Sequence, residues 1–442
     1  MNDREQERLV EEFDLEPDTW DDFERAEKTA FLAAIVRPGE SDAEAAASLE
    51  ELERLADTAG IEVLGTYTQR RGHPERASFF GKGFLEEISQ KMRQAQAEVL
   101  IVNEELTPIQ GRNIENNFGI RVIDRTEVIL SIFHDRACTR EAKLQVRLAE
   151  LQYQLPRLRR LWGHFDKERG SQRASGGAAT RGMGEKQIEI DKRLIRQQIR
   201  KINKAIADIT NQKETQRKQR DRTKKICLVG YTNAGKSTLF NSITEAGVLV
   251  EDKLFATLDS TSRQLKLSTS FPVVISDTVG FISNLPHHLV ASFSATLMEV
   301  RDADLLLHVV DISDERFGYY IEQVNSVLAS IGAQDIPQLL IMNKTDLVDD
   351  TICLFVQRRY PEAVLISALN IEQVDKLLPK LEQKLFQNRL CKVFLPFDKG
   401  SLASLLYRIA NIQKEEYQAD GIYLELEISE DDLHHVQDYL LT

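Results

Sequence analysis

The chain has 442 residues, 42% hydrophobic and 29% charged, with a net charge of −13. This is ordinary for a soluble globular protein of roughly two to four domains with real apolar cores. No apolar run is long enough to span a membrane, and Met1-Asn-Asp-Arg-Glu5 is too acidic and polar for a secretory signal, so the expected compartment is the cytoplasm, with a partial membrane association still compatible.

The charge is unevenly spread. Residues 136–225 hold 25 Lys and Arg against 10 Asp and Glu, a net of +15, which leaves −28 for the remainder. An acidic chain with one basic belt suggests a local polyanion contact, nucleic acid above all, although a solvated helical face would look similar. Cys138, Cys227, Cys353 and Cys391 lie far apart without metal-ligand spacing, so they read as reduced thiols.

Residues 1–28 read as an acidic arm anchored by Phe13, Trp20 and Phe23. Residues 29–135 alternate strand and helix patterns: strands at 31–36, 62–67, 99–102 and 120–123, helices at 43–59, 83–96 and 107–118. That alternation predicts a small parallel α/β domain. Gly81-Lys82-Gly83 could face phosphate, but alone it reads as an ordinary loop.

From Arg125 the pattern predicts one long helix. Residues 136–222 carry two narrow apolar seams, Leu144, Leu148, Leu151, Leu155 and Leu158, then Ile188, Ile195, Ile199, Ile202, Ile206 and Ile209. Steps of four and three predict a long antiparallel helical hairpin. Between the seams, residues 163–184 are rich in Gly, Arg and Ser, and Trp162 and Phe165 flank them beside Arg157, Arg159 and Arg160. Aromatics mixed with guanidiniums suit phosphates and unstacked RNA bases, or equally an apolar hairpin tip.

Residues 223–388 carry the chemistry. Ile226–Val229 reads as a buried strand, followed at once by Gly230-Tyr231-Thr232-Asn233-Ala234-Gly235-Lys236-Ser237-Thr238 and a helical pattern. Strand, glycine loop and helix form a P-loop: backbone N–H groups converge on an anion, Lys236 reaches the β- and γ-phosphates, and Ser237 offers a hydroxyl to Mg²⁺. Asp277-Thr278-Val279-Gly280 closes the next strand, with Asp277 reaching Mg²⁺ through water and the Gly280 N–H reading the γ-phosphate. Between the two, Phe255-Ala256-Thr257-Leu258-Asp259 offers Thr257 as a Mg²⁺ ligand made only when the γ-phosphate is present. Asn343-Lys344-Thr345-Asp346 ends a further strand. The Asp346 carboxylate can accept from the guanine N1–H and 2-amino group, which adenine lacks. Ser367-Ala368-Leu369 can put a backbone N–H on the guanine O6. The expected ligands are GTP and GDP with Mg²⁺, and Lys236, Thr257 and Gly280 are the expected catalytic groups. Residues 389–442 read as a small α+β domain: strands at 393–397 and 422–428, helices at 402–410 and 431–439.

Gly230–Ser237, Phe255–Asp259, Asp277–Phe281 and Asn343–Asp346, together with Asn103-Glu-Glu-Leu-Thr-Pro-Ile-Gln-Gly-Arg-Asn-Ile-Glu115, Asp124-Arg-Thr126 and Arg181-Gly-Met-Gly-Glu185, resemble the HflX family of GTPases, within the wider Obg-like group, over about residues 30–440. The resemblance implies an N-terminal α/β domain with the hairpin, a GTPase domain and a small C-terminal domain. It also implies a monomer that binds the large ribosomal subunit and splits or rescues ribosomes with GTP, its N-terminal region approaching the peptidyl-transferase centre. Residues 163–184 are then the candidate contact. Met183 stands where proline is more usual in that family. Some members are said to bind ATP through the N-terminal region; no motif here places it.

Ras-like enzymes carry a water-orienting glutamine directly after Asp-x-x-Gly, where this chain has Phe281. Slow hydrolysis by the isolated protein follows, with the missing group supplied by the ribosome. Asn233 resembles an asparagine that coordinates K⁺ in cation-stimulated GTPases; the plainer reading is a loop residue bonding its own backbone. His287 and His288 read as surface residues. The alternative function is a ribosome-assembly or RNA-modification GTPase acting on RNA.

Overall fold

A strand buried on both faces needs an uninterrupted apolar run, and this chain uses such runs to build two parallel sheets. The computed structural model describes residues 28–158, 179–218, 223–244, 254–255, 261–267, 272–282, 299–386, 388–429 and 433–441, with backbone only at 179–187, 213–218, 388–389, 411, 427 and 429. Residues 1–27, 159–178, Ala256 to Asp259, and His287 and His288 lie outside the described residues. The chain divides into two units, residues 1–219, 251–259 and 279–298, and residues 220–250, 260–278 and 299–442. Among the described residues no helix is long and apolar enough to cross a membrane.

The first unit holds a four-stranded parallel sheet in the order β2-β1-β3-β4, from β1 (Thr29–Val36), β2 (Glu62–Arg70), β3 (Val99–Val102) and β4 (Arg121–Asp124). Helices α1 (Asp42–Thr58), α2 (Lys82–Ala95) and α3 (Pro108–Phe118) connect the strands. Capping boxes start two of them: Ser41 pairs with Glu44, and Thr107 with Gln110 ahead of Pro108. Strand β2 runs to Arg70, three residues past the patterned stretch, because β1 continues to pair with it.

Asn103, Leu106, Asp124 and Arg125, from two of the segments that carried the family resemblance, take part in a buried polar cluster. Asp124 ends β4 and caps α4 (Arg125–Arg136), accepting from the Glu127 N–H at 3.1 Å and the Leu106 N–H at 3.0 Å. Arg125 donates to Asn103 Oδ1 at 3.1 Å and pairs with Glu51 at 2.8 Å. Arg157 donates to the Leu106 carbonyl at 2.7 Å and to Asp124 at 3.4 Å, with its guanidinium 3.6 Å from the Tyr153 ring centre. Burial pushes the Asp124 carboxyl up, and Arg157 and the two N–H groups oppose that rise.

The single long helix expected from Arg125 is interrupted. Helix α4 stops at Arg136, Ala137 is extended, and Thr139 caps α5 (Arg140–Gln154) by accepting from the Ala142 N–H at 3.2 Å. Threonine at this position offers the backbone an alternative to continuing the helix. Leu144, Leu148 and Leu151 of α5 pack with Ile195, Ile199, Ile202, Ile206 and Ile209 of α6 (Ala179–Lys218). At 1.5 Å per residue the 40-residue α6 is about 60 Å long.

The second unit holds a six-stranded sheet in the order β10-β9-β8-β5-β7-β6, from β5 (Lys224–Gly230), β6 (Thr261–Leu265), β7 (Val273–Asp277), β8 (Leu305–Asp311), β9 (Gln338–Asn343) and β10 (Val364–Leu365). All neighbours are parallel except β6, which runs antiparallel to β7. Helices α7 (Lys236–Thr244), α8 (Phe317–Ser330), α9 (Asp350–Arg359), α10 (Ile371–Asp375) and α11 (Leu377–Phe386) belong to the same unit. A second, three-stranded antiparallel sheet follows, β11 (Asn388–Pro396), β12 (Ala410–Tyr417) and β13 (Gly421–Ser429) in the order β11-β13-β12, sharing a core with α12 (Gly400–Ile409). Strand β12 was not expected: it is a charged edge strand with little apolar pattern. The helix expected at 431–439 is instead two short 3₁₀ turns, Leu433–His435 and Gln437–Tyr439.

Replacing Arg157 by methionine leaves the Asp124 carboxylate buried without its cation. The expected loss is about 3 kcal/mol, read as a lower urea midpoint with unchanged slope.

Candidate nucleotide-binding site

In the six-stranded sheet β5 lies between β8 and β7, so the connections leave in opposite directions and open a crevice at the carboxyl end of β5. Gly230 to Ser237 occupies that end. Gly230 has φ +152°, and a Cβ there would stand 2.2 Å from the Val309 carbonyl of β8. Gly235 has φ +88°, and a Cβ would stand 2.2 Å from Asn343 Nδ2. Both glycines are therefore required by the backbone angle and by close approach. Asn233 also adopts a left-handed conformation, at φ +60°.

The Asn343 side chain joins three motifs. Its Nδ2 donates to the Ala234 carbonyl at 2.8 Å, and its Oδ1 accepts from the Ala368 N–H at 2.9 Å. Ser242 Oγ donates to the Ala368 carbonyl at 2.6 Å, and the Ser367 N–H donates to Gln373 at 2.6 Å. The Thr345 N–H donates to the Ile366 carbonyl at 3.3 Å. Lys344, left-handed at φ +62°, pairs through Nζ with Asp311 Oδ2 at 2.7 Å. Asp346 and Leu369 stay exposed, while Ser367 and Ala368 are buried. An exposed carboxylate on a pinned segment can meet a base edge.

On the phosphate side, Lys236 is buried and donates from Nζ to the Tyr231 carbonyl at 2.8 Å. Burial lowers its pKa to about 8, and the charge of Asp277 opposes the shift. Ser237 Oγ donates to Asp277 Oδ2 at 2.7 Å, and Thr278 Oγ1 donates to the Leu228 carbonyl at 2.6 Å. The Thr232 hydroxyl is buried and has no hydrogen-bond partner among the described residues. An orphaned hydroxyl and a buried ammonium in one glycine loop fit a phosphate group. Thr238 is half-buried in the first turn of α7. His308 is buried on β8, opposite Val229, and burial followed by the Lys236 charge lowers its pKa to about 4, so it is neutral.

The first unit carries the remaining described members of the motifs. Gly280 and Phe281 are buried and Val279 is half-buried. Phe255, at φ +55°, is buried edge-on against Phe133 of α4, with ring centres 4.7 Å apart. Thr257, with Ala256, Leu258 and Asp259, lies outside the described residues.

Sequence reasoning missed the supporting residues Asp311, Asp314, Arg316 and Tyr320. One signal was present: Asp311 ends a parallel strand on the edge where such sheets bind ligands.

The fold and this site define a P-loop GTPase. Residues 46–134 match the family described as GTP-binding GTPase N-terminal, 136–220 its GTP-binding GTPase Middle Region, and 225–344 the family described as 50S ribosome-binding GTPase. GTPase HflX of Caldanaerobacter subterraneus subsp. tengcongensis is 40% identical over 93% of this chain and 94% of its own. GTPase HflX of Escherichia coli strain K12 is 42% identical over 84% of this chain and 87% of its own. A crystal structure of SsGBP with GDP is 25% identical, covering 81% of this chain and 98% of that one, with a TM-score of 0.44, so the assignment rests on the sequence matches. The chain belongs to the HflX family of GTPases. It binds GTP and GDP and hydrolyses GTP.

On the expectation that charged Lys236 meets the phosphates, GDP affinity should decline as pH rises through about 8. Nucleotide titrations between about pH 7 and 9, where the lysine changes charge before guanine does, should show a loss approaching tenfold per unit. A flat profile would remove Lys236 from the phosphate contact.

Proposed function

We propose that this GTPase binds the large ribosomal subunit and couples its GTP/GDP switch to ribosome splitting or rescue. The observation that carries the reading is Phe281. It follows Asp277-Thr-Val-Gly280 directly, is 5% exposed, and has no polar atom with which to orient water. A site complete in phosphate-binding groups but lacking this one works slowly alone and quickly once a partner supplies it. The basic belt at 136–225 and the ribosome-binding description of the matched family point to the ribosome as that partner.

In this reading Lys236 draws charge from the β- and γ-phosphates. Ser237, Asp277 through water and, with the γ-phosphate present, Thr257 would hold Mg²⁺, which would supply positive charge against the phosphate oxygens. The Ser237–Asp277 hydrogen bond already brings the two metal-facing oxygens together, so this donor set fits the ion. Asn233 would hold a K⁺ ion, which would supply further positive charge beside the phosphates. The Gly280 N–H reads the γ-phosphate, and hydrolysis releases the segments bearing Thr257 and Gly280. Asp346 selects guanine, with Lys344 and the 367–369 backbone framing the base. The protein acts as a cytoplasmic monomer, with residues 163–184 approaching ribosomal RNA.

GTP turnover by the isolated protein should lie below ~1 s⁻¹ and rise steeply with purified large subunits. The stimulation should fall sharply between about 50 and 200 mM salt and be greater in potassium than in sodium. With a non-hydrolysable GTP analogue, intact ribosomes should sediment as subunits. Stimulation by bare RNA alone, without splitting, would instead support an assembly or RNA-modification GTPase.

Substituting Asp346 by asparagine removes the acceptor for the guanine donors. GTP affinity should fall at least 100-fold, and xanthine nucleotides, which offer a carbonyl at that position, should gain. Competition binding reads both changes.

A further inference from the structure

The ring of Tyr231, the second residue of the phosphate loop, has a partner that no nucleotide motif contains. It stacks on Tyr320 of α8 with ring centres 4.2 Å apart and planes at 29°. Tyr320 is itself held in place. Its hydroxyl donates to Asp314 Oδ2 at 3.1 Å. Arg316 grips the same carboxylate through Nε at 3.1 Å and Nη2 at 3.0 Å, and its guanidinium lies 5.4 Å from the Tyr320 ring centre. These bonds hold the Asp314 carboxyl below its usual range despite its partial burial.

The consequence lies in the Tyr231 backbone. Its carbonyl accepts from Lys236 Nζ at 2.8 Å, so the peptide whose ring is stacked also aims the phosphate-binding ammonium. A loop with left-handed Asn233 and two steric glycines has few side chains by which the rest of the sheet can grip it. The aromatic stack is one such grip.

We propose that Tyr320 is a positioning residue for nucleotide binding: by stacking on Tyr231 it fixes the carbonyl that orients Lys236 toward the β- and γ-phosphates. The inference rests on the reading of Lys236 as a phosphate ligand. The link from Tyr320 to Lys236 runs through the Tyr231 carbonyl, which stabilises the charged form of the ammonium.

The test is GDP affinity for the full chain and its Tyr320→Ala and Tyr320→Phe variants, alone and combined with Lys236→Ala. The phenylalanine keeps the stack and loses only the hydroxyl. Tyr320→Ala should weaken GDP about tenfold, the scale of one aromatic pair. Combined with Lys236→Ala, the same change should cost less than about twofold more, because the ammonium that the Tyr231 carbonyl orients is gone. Tyr320→Phe should stay within about twofold of the parent in affinity. A tenfold loss that persists undiminished in the Lys236→Ala background would make the stack merely structural and overturn the proposal. So would wild-type behaviour of Tyr320→Ala, or equal damage from Tyr320→Phe. Should Tyr320→Ala lower the melting temperature, Tyr320→Leu, which keeps the bulk without the aromatic face, replaces it with the same expected results. Lys236→Ala is the control for the underlying reading. If GDP affinity survives that change, Lys236 is not the phosphate ligand, whatever Tyr320 does.

Discussion

One side-chain amide ties the nucleotide site together. Asn343 stands at the end of β9, donates to the phosphate loop at Ala234 and accepts from the base-side loop at Ala368. Because its two polar atoms are spent on backbone, the residue braces the site, while Asp346 three residues later stays exposed. Gly235 is the counterpart of this brace, since any side chain there would occupy the space of the amide nitrogen. Asparagine supplies a donor and an acceptor on one rigid plane, which aspartate cannot. That is a physical reason for the first residue of Asn343-Lys-Thr-Asp346 to be what it is.

A similar economy governs the first unit. Asp124 is at once the end of a strand, the cap of a helix, the acceptor for the Leu106 N–H and the partner of Arg157. Four geometric demands on one carboxylate fix how β4, α4 and the turn after α5 meet. Arg125, beside it, reaches the other way, to Asn103 and Glu51. Such a network is costly when incomplete and specific when complete. It accounts for polar residues in Asn103–Glu115 and Asp124–Thr126 without assigning them a ligand.

Phe255 shows how a member of a nucleotide motif can also pack the core. It is buried on Phe133 in a left-handed conformation that a bulky side chain seldom adopts. Burial of the ring against α4 offsets the backbone cost. The phosphate loop holds its own left-handed residue, Asn233, whose short polar side chain tolerates that conformation far more readily.

The sequence alone determined the class of protein and where its nucleotide motifs fall. Gly230 to Ser237, Asp277 to Gly280 and Asn343 to Asp346 each follow an apolar run, and a short motif at a strand end carries its geometry locally. Alternating patterns likewise predicted the parallel sheet of residues 29–124. Local pattern was weaker where polar residues carry the structure, as in charged β12 and in the break at Ala137–Thr139. Tertiary structure alone decided the supports: Asn343 on Ala234, Tyr320 on Tyr231, Asp311 on Lys344 and Arg157 on Asp124. These partners lie 33 to 109 residues apart or come from loops with no motif of their own. A contact across such a separation depends on how the sheet is ordered, and no local pattern encodes that order.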